Sequence, residues 1–205
     1  MSPDSQPTNS STRSATGSFA SPALVTLLLM QIIIGYEWLS SGITKVASGD
    51  FPSGLSADLK DSSGDAAHWY RSFLNGTVIP HGHLFGVLIE VGEIVVGLAF
   101  ILAAIAWLAR WPRLSDSWHT TILVVTMLAA LGATLLAVNF HLASGANHPW
   151  LIPKEGFDET IDVDTVLIMF QIALIAFSGY LLLKMRRERR FSAPPGSDSA
   201  PAASP

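Results

Sequence analysis

Cysteine is absent from all 205 residues. Its absence excludes disulfides, thiolate chemistry and cysteine-ligated iron–sulfur clusters in this chain. Any redox chemistry therefore requires a bound organic cofactor, a metal on other ligands or a partner subunit. Charge is scarce as well: 14% of residues are charged, against roughly 25% in soluble domains. A net charge of −4 does not suggest a nucleic-acid partner. No internal repeat is evident.

Apolar residues make up 49% of the chain and are gathered into long runs. Four of them, Ala23–Ala47, Leu84–Ala109, Thr120–Leu142 and Val163–Leu183, each come near the ~20 residues that cross a hydrocarbon core. They predict an all-α integral membrane four-helix bundle surrounded by lipid. The first run is too long for a signal-peptide core, has only Arg13 upstream and leads into three further spans, so it reads as a span. Residues 1–21 are rich in Ser, Thr and Pro and read as a disordered tail. Residues 22–185 form the membrane domain. Residues 186–205 form a basic, then Pro/Ala/Ser-rich, second tail.

Basic residues near span ends predict orientation. Arg110 and Arg113 follow the second span, and Lys184, Arg186, Arg187, Arg189 and Arg190 follow the fourth. The opposite loops hold Lys60, Arg71 and Lys154 among many acids, including Asp58, Asp61, Asp65, Glu155, Asp158, Glu159 and Asp162. Both termini are therefore expected in the cytoplasm, with loops 48–83 and 143–162 outside. In the first outer loop, "DAAHWYRSFL" predicts a short helix capped by Asp65, with Trp69, Tyr70 and Phe73 at the membrane interface. In the second, Trp150 and Phe157 are placed to pack a proline-broken loop down as a lid. His68, His81, His83 and His148 read as outer-loop residues.

The apolar runs carry a few polar residues at helical spacing. Gly86, Glu90, Glu93 and Gly97 share one face of the second span; Glu37, Ser41 and Lys45 share one face of the first. The third span ends with Asn139 and His141, and the fourth bears Asp164 and Gln171. The polar groups belong to the outer halves of their spans, Glu37 only slightly outward of the middle, whereas the inner halves are nearly all apolar apart from residues such as Gln31, Thr126 and Ser178. A charge at the bilayer centre costs roughly 2.5–3.5 kcal/mol on insertion scales, so intramembrane ionisable groups face protein or water and mark functional sites. The expected arrangement is a polar pocket in the outer half of the bundle, with Lys45 available to pair a glutamate. Interhelical bonding is the plain alternative for Ser41, Asn139 and Gln171, and neutralisation of Lys45 is the plain alternative for Glu37.

Three segments carry a family resemblance: "QIIIGYEWLSSGITK" in the first span, "FLNGTVIPHGHLFGVLIEVGEIVVGLAFILA" leading into the second, and "AVNFHLASG" ending the third. Their order resembles the DoxX/DoxD family of four-helix membrane proteins over about residues 23–183. The resemblance implies the small subunit of a thiosulfate:quinone oxidoreductase, or a relative in a membrane oxidoreductase or oxidative-stress complex. Lys45 and Glu93 match that family's polar signature positions. Gln31 stands where relatives often carry arginine, and Glu37 and Glu90 add acids where relatives are often apolar. This extra acidity argues against a small dianion such as thiosulfate in this pocket.

The expected function is a membrane subunit of a quinone-linked oxidoreductase in a bacterial-type plasma membrane. Glu93 and Glu90 would act as a proton relay. Lys45, Glu37, Ser41, Asn139, His141 and Gln171 would surround quinone or a small substrate. A partner oxidoreductase subunit and an oligomer both fit this reading. A non-catalytic scaffold or assembly subunit is the alternative, and a small transporter is disfavoured by short, unbroken spans without a repeat. No metal or haem is expected: Glu90 and Glu93 lack the Glu-x-x-His pairs of di-iron bundles, and His141 is the one histidine clearly at a span.

Overall fold

The computed structural model describes residues 22–110, 113–144 and 163–192. Among them there is no strand, and four helical stretches are long and apolar enough to cross a membrane: Leu24–Ser48, His68–Ala109, Asp116–Ala143 and Val163–Glu188. The chain is an all-α, multi-pass four-helix bundle. Its helices are α1 (Pro22–Ser48), α2 (Phe51–Ser62), α3 (His68–Phe73), α4 (Gly82–Arg110), α5 (Asp116–Ala143) and α6 (Val163–Ser192).

Burial is arranged for lipid. Ile33, Leu102, Leu128 and Leu183 stand exposed, while Gln31, Thr126, Gln171 and Ser178 are buried inside. In a bilayer the outward leucines meet hydrocarbon, and the polar groups are sheltered by neighbouring helices. One core cluster joins Ile34, Trp38, Phe100, Ala133, Ala137 and Ile168; a second, nearer the α4–α5 turn, joins Leu28, Ala104, Trp107 and Leu123.

The most extensive helix pairing is α1 with α4. Glycine makes that approach possible. A Cβ on Gly97 would lie 2.6 Å from the Leu39 nitrogen and 2.7 Å from the Gly35 carbonyl oxygen. A Cβ on Gly42 would lie 3.0 Å from that of Glu93. Lower down, buried Gln31 donates from Nε2 to the Phe100 carbonyl at 3.0 Å. The amide that stands at the resemblance's arginine position therefore ties α1 to α4.

The segment between the first two spans is more structured than its sequence suggests. α1 stops at Gly49, whose φ of +74° is the left-handed geometry of a helix C-terminus, and Gly49 N–H bonds back to the Lys45 carbonyl. α2 follows at once and lies against α4, and Ser56 Oγ donates at 2.8 Å to the carbonyl of Ile79, in the turn just before α4. α3 begins at His68 with Ala67 in the cap position and no side-chain cap bond. The cap expected from Asp65 is therefore corrected, because Asp65 closes a separate 3-10 turn, Ser63–Asp65. Arg71 braces this corner by donating to the Gly64 and Ala66 carbonyls. A π-helical turn at Leu74–Val78 and a 3-10 turn at Ile79–His81 then lead into α4. Pro80 has no N–H to continue an α-helical ladder, which accounts for the change of winding there. Tyr70 is buried with Leu74 and Val78, while Trp69 and Phe73 are exposed. The lid expected from Trp150 and Phe157 lies outside the described residues.

Candidate functional site

Lys45 and Glu93 form the centre of the site. Helical side chains lean toward the N-terminus of their own helix. α1 and α4 run in opposite directions, so Lys45 leans back along α1 toward Ser41 while Glu93 leans the other way along α4. They meet at the level of Gly42. Lys45 Nζ donates to the two Glu93 carboxylate oxygens at 2.8 and 2.7 Å and to Ser41 Oγ at 2.6 Å. An ammonium has three N–H bonds, and each has an acceptor here. The Phe51 and Phe140 rings lie 5.4 and 5.8 Å from the same nitrogen. Glu93 is 1% exposed and the Lys45 side chain 22%, so the pair is sheltered, the carboxylate most deeply.

A cavity of about 160 Å³ adjoins the pair. Glu37, Trp38 and Ser41 line it from α1, Phe140 from α5, and Asp164 and Leu167 from α6. It occupies the side of the bundle where the α1 and α6 backbones scarcely approach one another. Trp38 is buried, yet its Nε1–H has no hydrogen-bond partner among the described residues. Glu37 is exposed and stands at the margin of the cavity. It lies roughly 16 Å along α1 from Ser48, well within the thickness of a hydrocarbon core.

The remaining candidates divide. Glu90 is buried one turn nearer the N-terminus of α4 than Glu93 but does not line the cavity with Lys45. Gln171 is fully buried on the α6 stripe one turn below Leu167, and neither amide atom meets a partner among the described residues. His141 is buried on the α5 face that carries Ala130, Ala133 and Ala137. Asn139 is exposed on another face of α5. There its side chain and carbonyl accept the Tyr70 hydroxyl at 3.0 and 3.1 Å. Tyr70 and Asn139 line a second, mostly apolar cavity of about 320 Å³ beneath α2 and α3. Phe140 walls both cavities, so α5 separates Asn139 from Lys45. Among the described residues, no group of three histidines, aspartates or glutamates is arranged to hold a metal ion.

Trp38 and Phe140 were absent from the sequence-based set of site residues. Trp38 is one turn from both Ser41 and Ile34, and that i+3/i+4 spacing was the available signal. Phe140 sits between two polar candidates, Asn139 and His141, and its spacing from Ala137 and Leu136 resembles ordinary core.

Fold and site together define a multi-pass membrane bundle with a buried ion pair beside a laterally placed cavity. No family model, curated protein or solved structure matches the chain.

Proposed function

We propose that this chain is the membrane subunit of a quinone-linked oxidoreductase in a bacterial-type plasma membrane, with both termini cytoplasmic and the Lys45–Glu93 pair in the outer half of the bilayer. The supporting observation is the position of that pair: a carboxylate 1% exposed, held by lysine, beside a cavity lined from α1, α5 and α6. Such a group carries protons between a lipid-dissolved ligand and the aqueous side. The DoxX/DoxD resemblance puts its signature residues at these two positions. Glu93 is the proton-handling group in this reading, and Glu90, one turn outward, is the next carboxylate along α4. Lys45 holds Glu93 in place. With its three donors engaged, the ammonium contacts a ligand only by exchanging one of these bonds.

Purification in lipid followed by solvent extraction and quinone-dependent turnover with candidate donors tests the proposal. Co-purified quinone and turnover that falls at least tenfold in Glu93→Gln support it. Absence of both contradicts it.

The saturation of Lys45 supports a second reading, in which the pair fastens α1 to α4 in a non-catalytic scaffold. That reading predicts that Glu93→Gln leaves turnover of the assembled complex intact, whereas deletion within α2–α3 abolishes assembly.

A further inference from the structure

Glu37 sits where a carboxylate is hardest to explain. Its neighbours on the outer face of α1, Ile33 and Tyr36, are each 66% exposed and belong to the lipid-facing surface. Its own side chain is exposed, and no described residue hydrogen-bonds it or pairs with it. Lys45, the nearest cation along the α1 stripe, is bound to Glu93 instead. An ionisable group at this depth is costly unless it meets water, protein or ligand.

The adjoining cavity has the dimensions and walls of an aromatic site. Its volume of about 160 Å³ is close to the ~150 Å³ of an engineered protein cavity that takes up benzene. Trp38 and Phe140 supply aromatic surface, and Leu167 supplies aliphatic surface. At the polar end, Glu37 contributes a carboxylate, and the three N–H bonds of Lys45 are taken up by Glu93 and Ser41. Glu37 is therefore an acceptor at the rim, while the buried Trp38 Nε1–H, without a partner among the described residues, is a donor in the wall. A ring hydroxyl both donates to Glu37 and accepts from an N–H, whereas a ligand offering only carbonyl or ether oxygens leaves Glu37 unsatisfied.

We propose that Glu37 is a specificity-determining residue: it accepts a hydrogen bond from the ring hydroxyl of a lipid-dissolved phenol or hydroquinone entering between α1 and α6. The cavity thereby favours the hydroxyl-bearing, reduced form of a single-ring carrier over its carbonyl form. This inference rests on the ligand-binding role of the cavity proposed above, and it adds the direction of preference and the residue that sets it. A hydrogen bond to a carboxylate oxygen, lost with the ether, discriminates by roughly tenfold.

The test uses the full-length protein in lipid nanodiscs and two redox-inert probes, a 4-alkylphenol and its methyl ether, so that binding is read without turnover. Wild type should bind the phenol at least about tenfold more tightly than the ether. Glu37→Leu should bring the two affinities within about threefold, and Glu37→Gln, which keeps a carbonyl acceptor, should fall between. Thermal melting controls for folding: Glu37→Leu should melt at or above wild type, because it removes a carboxylate from a lipid-facing surface. Equal wild-type affinities would overturn the hydroxyl preference while leaving a ring site in place. An undiminished preference in Glu37→Leu would overturn the role of Glu37. Binding of neither probe would remove the ring site and the proposed function's ligand cavity together.

Discussion

Lys45 and Glu93 are 48 residues apart in sequence, yet Lys45 Nζ lies 2.7 Å from Glu93 Oε2 across a helix pair that only glycine allows to close. The ion pair and the glycine contact are one device. Gly42 removes the side chain that would stand between α1 and Glu93, and Gly97 sets the helix separation one turn further down. Removing either disturbs both.

The glycine contact makes the first prediction. Gly97→Val puts branched carbon where a Cβ alone would sit 2.6 Å from α1 backbone. Backbone cannot yield as a flexible side chain does, so the helices must part. The variant should lose roughly 3 kcal/mol or more of stability. Gly92→Ala, whose Cβ would meet only the end of Leu136 at 3.5 Å, should change stability little. Thermal melting in detergent or nanodiscs distinguishes the two.

Gln171 makes the second. A fully buried amide with neither atom bonded among the described residues costs roughly 1–3 kcal/mol. Gln171→Leu should therefore raise the melting temperature. A lower melting temperature would show that the amide holds a bonding partner, such as an internal water.

Orientation makes the third, and the lack of native cysteine gives a clean background for it. A single cysteine at Ser53 or Gly64 should react with a membrane-impermeant maleimide in intact cells. One at Ser115, beside the α4–α5 turn, should react only after permeabilisation. The reverse pattern would invert the assignment drawn from Arg110, Arg113 and the α6 flank.

The sequence revealed the bundle because four long apolar runs have few other stable arrangements in a bilayer. Lys45 and Glu93 were legible for the same reason: a charge within such a run needs a partner. The rotation of each helix was less legible. Asn139 and His141 are two residues apart at one depth, yet Asn139 turns toward Tyr70 and His141 toward the bundle core. That choice is set by how α5 packs on α4 and α6, which residue spacing alone does not encode. α2 was missed because "FPSGLSADLKDS" has too few apolar residues to show a helical stripe; only Pro52 and Leu55 are buried. Its helix is supported by the glycine stop before it and by the α4 surface beneath it.

The most direct measurement is a double-mutant cycle on Lys45 and Glu93, read as unfolding free energy in lipid or mild detergent. Removing one partner leaves the other charge uncompensated, so Lys45→Met and Glu93→Leu should each cost roughly 3–5 kcal/mol. The double variant, with neither partner left uncompensated, should recover most of that loss, giving a coupling energy of about 2 kcal/mol or more. Additive losses, with coupling near zero, would mean that the two residues do not meet, and the site built on them would be wrong.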